Sequence, residues 1–241
     1  MNSDKIQELV NMSFTLEAIS DKKGCVTRYK DLDNKTLSDF LIAGINTSKY
    51  FRYIAQDIQK NKDTDIFTYF LEALKNSNQH KSFKTINFGL LEIMFPIVYA
   101  RILCNDKSKI IKKTIKIMKK ENHTDVSTLL KARTLAWQTS KNKTKNNFNT
   151  SQFESCKSPY ELYIKFTKTY NKNNSSNQWG MEYLQGLPIL KEFLSKIKSN
   201  ETILDDIKKT FNKVKDKNPN TKIGIIADMC AAAIFIYLSY E

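Results

Sequence analysis

The strongest periodic runs in this chain have the three-to-four spacing of helices. Ile6, Leu9, Val10, Ser13, Leu16 and Ala18 fall near one face of a first helix, which stops at Ser20, before Gly24. Thr36 and Asp39 have the spacing of a capping box, with Asp in place of the usual Glu, and predict the start of a second helix. That helix carries Phe40, Leu41, Gly44, Ile45, Ser48 and Arg52 on one side. A mid-helix glycine costs about 1 kcal/mol relative to alanine, so Gly44 reads as a close helix–helix contact.

A third helix is expected from Asp65 to Lys75. Phe88 to Leu103 is nearly all apolar apart from Glu92 and reads as a central, buried helix that Pro96 kinks or divides. Ser108 to Lys120 is amphipathic, with Ile111, Ile115 and Met118 opposite a dense lysine face, and Thr124 is read as the cap of a helix through Trp137. Further helices are expected at Pro159 to Asn171, at Trp179 to Ile197 with a break at Gly186-Leu187-Pro188, at Thr202 to Asp216 and at Ile223 to Tyr240. The polar, aperiodic stretch Lys141 to Thr150 reads as a long surface loop, near residues 140–151, rather than a domain boundary. With only 6 Gly and 4 Pro and no repeat of fixed period, the chain is expected to be one all-α domain over residues 1–241, with eight to ten helices around a buried central pair.

Composition narrows the partners. At 41% hydrophobic residues the chain has enough apolar side chains for a core, which excludes global disorder. Lys and Arg exceed Asp and Glu by 39 to 25, a net charge of +14, which favours polyanionic partners: nucleotides, nucleic acid or anionic lipid. A bias toward Lys, Asn and Ile, as in AT-rich coding sequence, accounts for the same excess. The cysteines, Cys25, Cys104, Cys156 and Cys230, are scattered and accompanied only by His80 and His123, which is neither a zinc pattern nor a disulfide framework and fits a reducing cytoplasm. The apolar run Ile223 to Tyr240 is interrupted by Asp228 and falls short of a membrane span.

Candidate chemistry gathers between the first two helices. The turn Lys22-Lys23-Gly24, followed by Arg28, offers long cationic side chains beside a glycine whose amides can approach an anion closely. Asp31 and Asp33 precede the second helix, where a carboxylate either does chemistry or answers the helix dipole. Asn87 and Gly89 open the central helix, a place where backbone N–H groups can cradle phosphate. Each feature has an ordinary structural reading as well: an interhelix turn, a helix-start partner, a cap. The seven lysines at 107, 109, 112, 113, 116, 119 and 120 form either a nucleic-acid or membrane surface or a solvated helix face.

Leu16 to Ile45 resembles the signature region of the ATP:dephospho-CoA triphosphoribosyltransferase family (triphosphoribosyl-dephospho-CoA synthase), especially its archaeal-type members. The shared features are Leu16-Glu17-Ala18, the Lys and Gly of Asp21-Lys22-Lys23-Gly24-Cys25 against a family Pro-Lys-Pro-Gly-Asn, the run Thr27-Arg28-Tyr29, and Asp33 ahead of an apolar helix. Asn87 and Gly89 match a second family landmark. The resemblance implies a transferase that moves the 5-triphosphoribosyl group of ATP to the 2′-hydroxyl of dephospho-CoA and releases adenine. It also implies Asp33 as base or Mg²⁺ ligand, with Lys22, Gly24, Arg28, Asn87 and Gly89 holding the substrate and Glu17 facing the same cleft.

Other landmarks are altered. The family's Asp-Thr-Leu-Ile-x-Arg-Lys stands here as Asn220-Thr221-Lys222-Ile223-Gly224-Ile225-Ile226, which replaces two cations by isoleucines, and Thr139 to Lys143 lacks the family's glycines. Lys81, Lys84 or Lys222 is a candidate to compensate. Two alternatives therefore stand beside the transferase: a catalytically degenerate nucleotide- or partner-binding module of the same fold, and a basic nucleic-acid-associated protein.

Overall fold

Polar caps set most of the helix starts. Asn2 accepts from the Lys5 amide at the head of α1 (Ser3–Ile19). Thr36 and Asp39 close the full capping box before α2 (Leu37–Gln59), with the Thr36 amide donating to Asp39 Oδ2 at 2.8 Å. Asp65 accepts from the amides of Phe67 and Thr68 before α3 (Ile66–Ser77). The computed structural model describes residues 1–32, 35–62, 64–77, 86–138, 150–197 and 202–241. Within them follow α4 (Phe88–Ile102), α5 (Ile110–Lys119), α6 (His123–Gln138), α7 (Pro159–Thr169), α8 (Ser175–Leu184), α9 (Pro188–Lys196), α10 (Ile203–Lys217) and α11 (Ile223–Leu238).

The described residues form an all-α fold with no strand longer than an isolated bridge. Its eleven helices exceed the expected eight to ten because the Gly186-Leu187-Pro188 break yields two separate helices, α8 and α9. Asn122 rather than Thr124 caps α6, since its Oδ1 accepts from the amides of Thr124 and Asp125. Pro96 does not divide α4, which runs unbroken from Phe88 to Ile102. Pro96 is fully enclosed by the core, where packing on every side offsets the hydrogen bond it cannot donate.

α4 and α11 pack on each other and are buried nearly all round, forming the expected central pair in one shared core. α1 and α2 lie antiparallel, tied at Gln7–Ser48 and Asp4–Arg52, and a Cβ added at Gly44 would lie 3.4 Å from the Phe14 ring, in keeping with the close contact its position implied. The buried face of α2 is rotated from the expected one. It uses Ala43, Gly44, Thr47, Ser48, Phe51 and Ile54, which leaves Ile45 67% exposed. The far end of α4 is fixed by Arg101, which donates to the Ser239 carbonyl at 2.7 Å and lies over the Tyr240 ring. No helix among the described residues is long and apolar enough to cross a membrane. The polar loop at 139–149 and the candidate cations Lys81 and Lys84 lie outside the described residues.

Candidate functional site

The C-terminal end of α1 builds the first wall of the site. Its last carbonyls lack helical partners and carry the negative end of the helix dipole. The Lys22 ammonium answers them: it donates to the Glu17 carbonyl and, at 3.3 Å, to that of Ser20, and it pairs with Glu17 Oε1 at 3.1 Å. Lys22 is only 1% exposed and its charge also faces the Phe211 ring. The family resemblance implied that this lysine reaches toward substrate phosphate. It turns inward instead, because the helix end and the Glu17 carboxylate offer it a closer set of acceptors.

Beyond Lys22 the chain makes a glycine turn and two tight reversals. Gly24 has φ +90°, a left-handed conformation that a side chain would strain, and an added Cβ there would also press on Ile223. Thr27 and Lys30 then exchange backbone hydrogen bonds, as do Leu32 and Lys35. These reversals carry Lys35 to the site, half-buried with its ammonium 5.7 Å from the centre of the Phe40 ring. Lys215 of α10 donates to the Lys23 carbonyl at 2.9 Å and so holds a cation beside the glycine turn. Arg28 is exposed, stacked on Tyr29 at 4.7 Å. Asp31 accepts from the Leu37 amide at the head of α2, a helix-start role. Asp33 lies outside the described residues.

The start of α4 supplies the facing wall. Asn87 adopts φ +63° and leads directly into Phe88 and Gly89. A Cβ at Gly89 would collide with the Asp228 carboxylate of α11 and crowd Trp179, so the missing side chain is what lets Asp228 lie against α4. Together these segments enclose a cavity of about 360 Å³. Its polar lining is Glu17, Lys35, Asn87 and Asp228, and its apolar lining includes Val26, Phe40, Phe88 and Ile223. Gly24, Gly89 and Gly224 expose backbone to it, and the space over Gly224 in the first turn of α11 is open. Two helix N-termini, of α4 and α11, thus open on one hollow.

Its electrostatics differ from the cationic nest expected from the sequence. The described lining holds two carboxylates and one ammonium, because Lys22 turns away and Arg28 remains outside. Burial, reinforced by the nearby Glu17 charge, pushes the Asp228 carboxyl well above its ordinary range, and Lys35 only partly opposes this. Burial likewise pushes the Cys25 thiol up to about 12, so this cavity-lining cysteine is a neutral thiol rather than a nucleophilic thiolate.

Beneath the cavity floor, α4 carries a second polar centre. Glu92, fully buried, pairs with Arg133 of α6 at 2.6 Å, and burial raises its carboxyl above the ordinary range despite that partner. The Arg133 guanidinium also donates to Ser176 and lies over the rings of Phe88, Tyr163 and Phe166. Since Phe88 lines the cavity, this pair supports the wall from below.

The structure therefore brings Glu17, Gly24, Asn87 and Gly89 of the sequence candidates into one lining, and it leaves Lys22, behind Glu17, and Arg28 out of that lining. Sequence reasoning missed Lys35 and Asp228. The second had left a sign as the acid interrupting an apolar run, since a buried charge needs a reason. The replaced cations are no loss to this cavity: Ile225 and Ile226 are buried in the core, while Lys222 binds Ser175 outside it. On the lysine-rich α5, positions 112, 116 and 119 are exposed, as on a solvated face.

A sequence model of ATP:dephospho-CoA triphosphoribosyl transferase matches residues 3–225 of the 241. The chain belongs to this family. No curated protein and no solved structure matches it. The matched region contains the walls formed by Glu17, the Gly24 turn, Lys35 and the Asn87–Gly89 helix start, and it stops within the first turn of α11, just before Asp228. Membership in the transferase family makes ATP and dephospho-CoA the family's substrates, which accords with a hollow bordered by helix N-termini.

Proposed function

We propose that this cavity is where the chain transfers the 5-triphosphoribosyl group of ATP to a dephospho-CoA-like acceptor with release of adenine. One observation carries the reading: the two family landmarks, some sixty residues apart in sequence, meet across a single hollow under two helix N-termini. At about 360 Å³ the hollow suits a nucleoside-sized group. Phe40, Phe88, Val26 and Ile223 offer apolar surface to a base. Lys35, Lys215 and the first-turn amides of α4 and α11 offer donors to the phosphate tail at the mouth. Lys22 acts indirectly by fixing the Glu17 carboxylate.

Mg²⁺ commonly accompanies a triphosphate and is held by one or two carboxylates plus phosphate oxygens. Among the described residues no three His, Cys, Asp or Glu side chains gather as a cation cage. Of the two carboxyl groups in the hollow, Glu17 is engaged by Lys22 and burial drives Asp228 toward its neutral form. The described lining does not fit a protein-held cation, and no step is derived through one. The four cysteines are free thiols, in keeping with a cytoplasmic enzyme.

Incubating the purified chain with ATP and dephospho-CoA tests the reading by chromatography of free adenine and mass analysis of the acceptor. Adenine release with a triphosphoribosyl mass gain is expected. Intact ATP binding without either product would instead make the chain a degenerate nucleotide-binding module.

A further inference from the structure

Two carboxyl groups of opposite character share the cavity. Glu17 forms a salt bridge with a fully enclosed lysine, a pairing that a carboxylate makes. Asp228 has no hydrogen bond or ion pair to any described residue, and it rests against the bare Cα of Gly89 on the cavity wall. Among the described residues, the charged or titratable groups acting on it come from different elements: Glu17 from α1, Glu92 from α4, Lys35 from the turn before α2, and Cys25 from the glycine turn. Three of those four are acids.

We infer that Asp228 is the general acid that protonates the departing adenine, and that Glu17, positioned by Lys22, is the base that accepts the proton of the attacking hydroxyl. The inference rests on the transferase reading and assigns its proton traffic. The C1′–N9 bond of ATP breaks and its electron pair passes to the adenine ring, which takes the Asp228 proton. The acceptor oxygen forms the new bond to C1′ while its proton passes to Glu17. The step ends with Asp228 ionised and Glu17 protonated, and exchange with solvent restores both. Environments that drive two neighbouring acids apart are a recurrent way to divide acid and base duties. Burial raises the Asp228 carboxyl well above its ordinary range, which favours the protonated form that a donor needs.

The test compares wild type with D228N, and with E17Q, on ATP and on ATP analogues in which ring N7 or N3 is replaced by carbon. Wild type is expected to release base far more slowly from an analogue that cannot take the proton. D228N is expected to lose about 10²–10⁴-fold of adenine release while still binding ATP, and to discriminate little between ATP and the analogues. The alkaline limb of the wild-type pH profile, where Asp228 loses its proton, should disappear in D228N, whereas E17Q should lose turnover and keep that limb. D228N turnover within about threefold of wild type would overturn the acid role and leave the transferase standing. Should D228N misfold, equal wild-type rates on ATP and both analogues would overturn it equally well. Wild type that binds ATP and never releases adenine would remove the transferase reading and this one with it.

Discussion

Glu92 and Arg133 show how costly single residues are here. Both are almost fully buried, they meet at 2.6 Å, and the arginine is boxed by three aromatic rings. Removing one member strands the other charge away from water. E92Q is therefore expected to cost about 3–5 kcal/mol, whereas E92L with R133M, which removes both charges, should cost much less. Urea denaturation of the three proteins checks this, and equal costs for single and double variants would contradict it. At this scale the sequence was only partly readable. Gly24, Asn87 and Gly89 stood out because backbone geometry or close approach demands particular residues there. Lys22 was legible as a cation but not in its direction, which depends on the carbonyls left open where α1 ends. Asp228 was visible as an anomaly in an apolar run, yet nothing in its spacing tied it to Gly89, over a hundred positions earlier.

Among elements, the starts of α3 and α6 meet through two acids. Burial first, then the hydrogen bond and charge of Asp65, push Asp125 up to about 8. Asp65 also feels burial, but hydrogen bonds from Asp125, Thr68 and the Phe67 amide leave it below its ordinary value. An unfolded Asp titrates near about 3.9. Between about pH 4 and 8 the folded chain thus holds a proton at Asp125 that the unfolded chain has released, so stability falls as pH rises through that window and levels off above it. The lowered Asp65 acts only below about pH 4 and does not offset this. D125N should flatten that part of the stability–pH curve, measured as thermal midpoints from pH 5 to 8. An unchanged slope would show that the two carboxyls do not share a proton. The cap of α2 was plain in the sequence because the Thr36–Asp39 spacing announces a helix start locally. The rotation of the α2 face was not, since Thr47 bonds back to its own helix and so enters the core unannounced.

For the whole molecule, helical period and apolar runs were enough to foretell an all-α fold around a buried central pair, which the structure forms from α4 and α11. Bringing the Gly24 turn to the Asn87 helix start followed from family landmarks rather than from physics visible in either segment. The sign of the charge inside the hollow did not follow from the net +14, because most lysines face solvent while carboxylates line the interior. A ligand that binds only the folded state stabilises it by about 2.7 kcal/mol at a hundred times its dissociation constant. ATP at that excess should therefore raise the thermal midpoint of the wild-type protein, with the gain reduced in K35A. A K35A midpoint that rises as far as wild type would take Lys35 out of the nucleotide site.

The contact between Gly89 and Asp228 has a consequence for how such chains can change over time. The acid on one central helix occupies the volume that any side chain on the other would need, so the two positions are sterically interlocked. Drift at position 89 toward even a methyl group would first evict the carboxyl from its seat, and only a shorter residue at 228 would relieve the crowding. Asp228 can be replaced by a smaller residue while Gly89 stays, but position 89 cannot gain a side chain while the carboxyl keeps its seat, so the order in which the two positions can change is constrained.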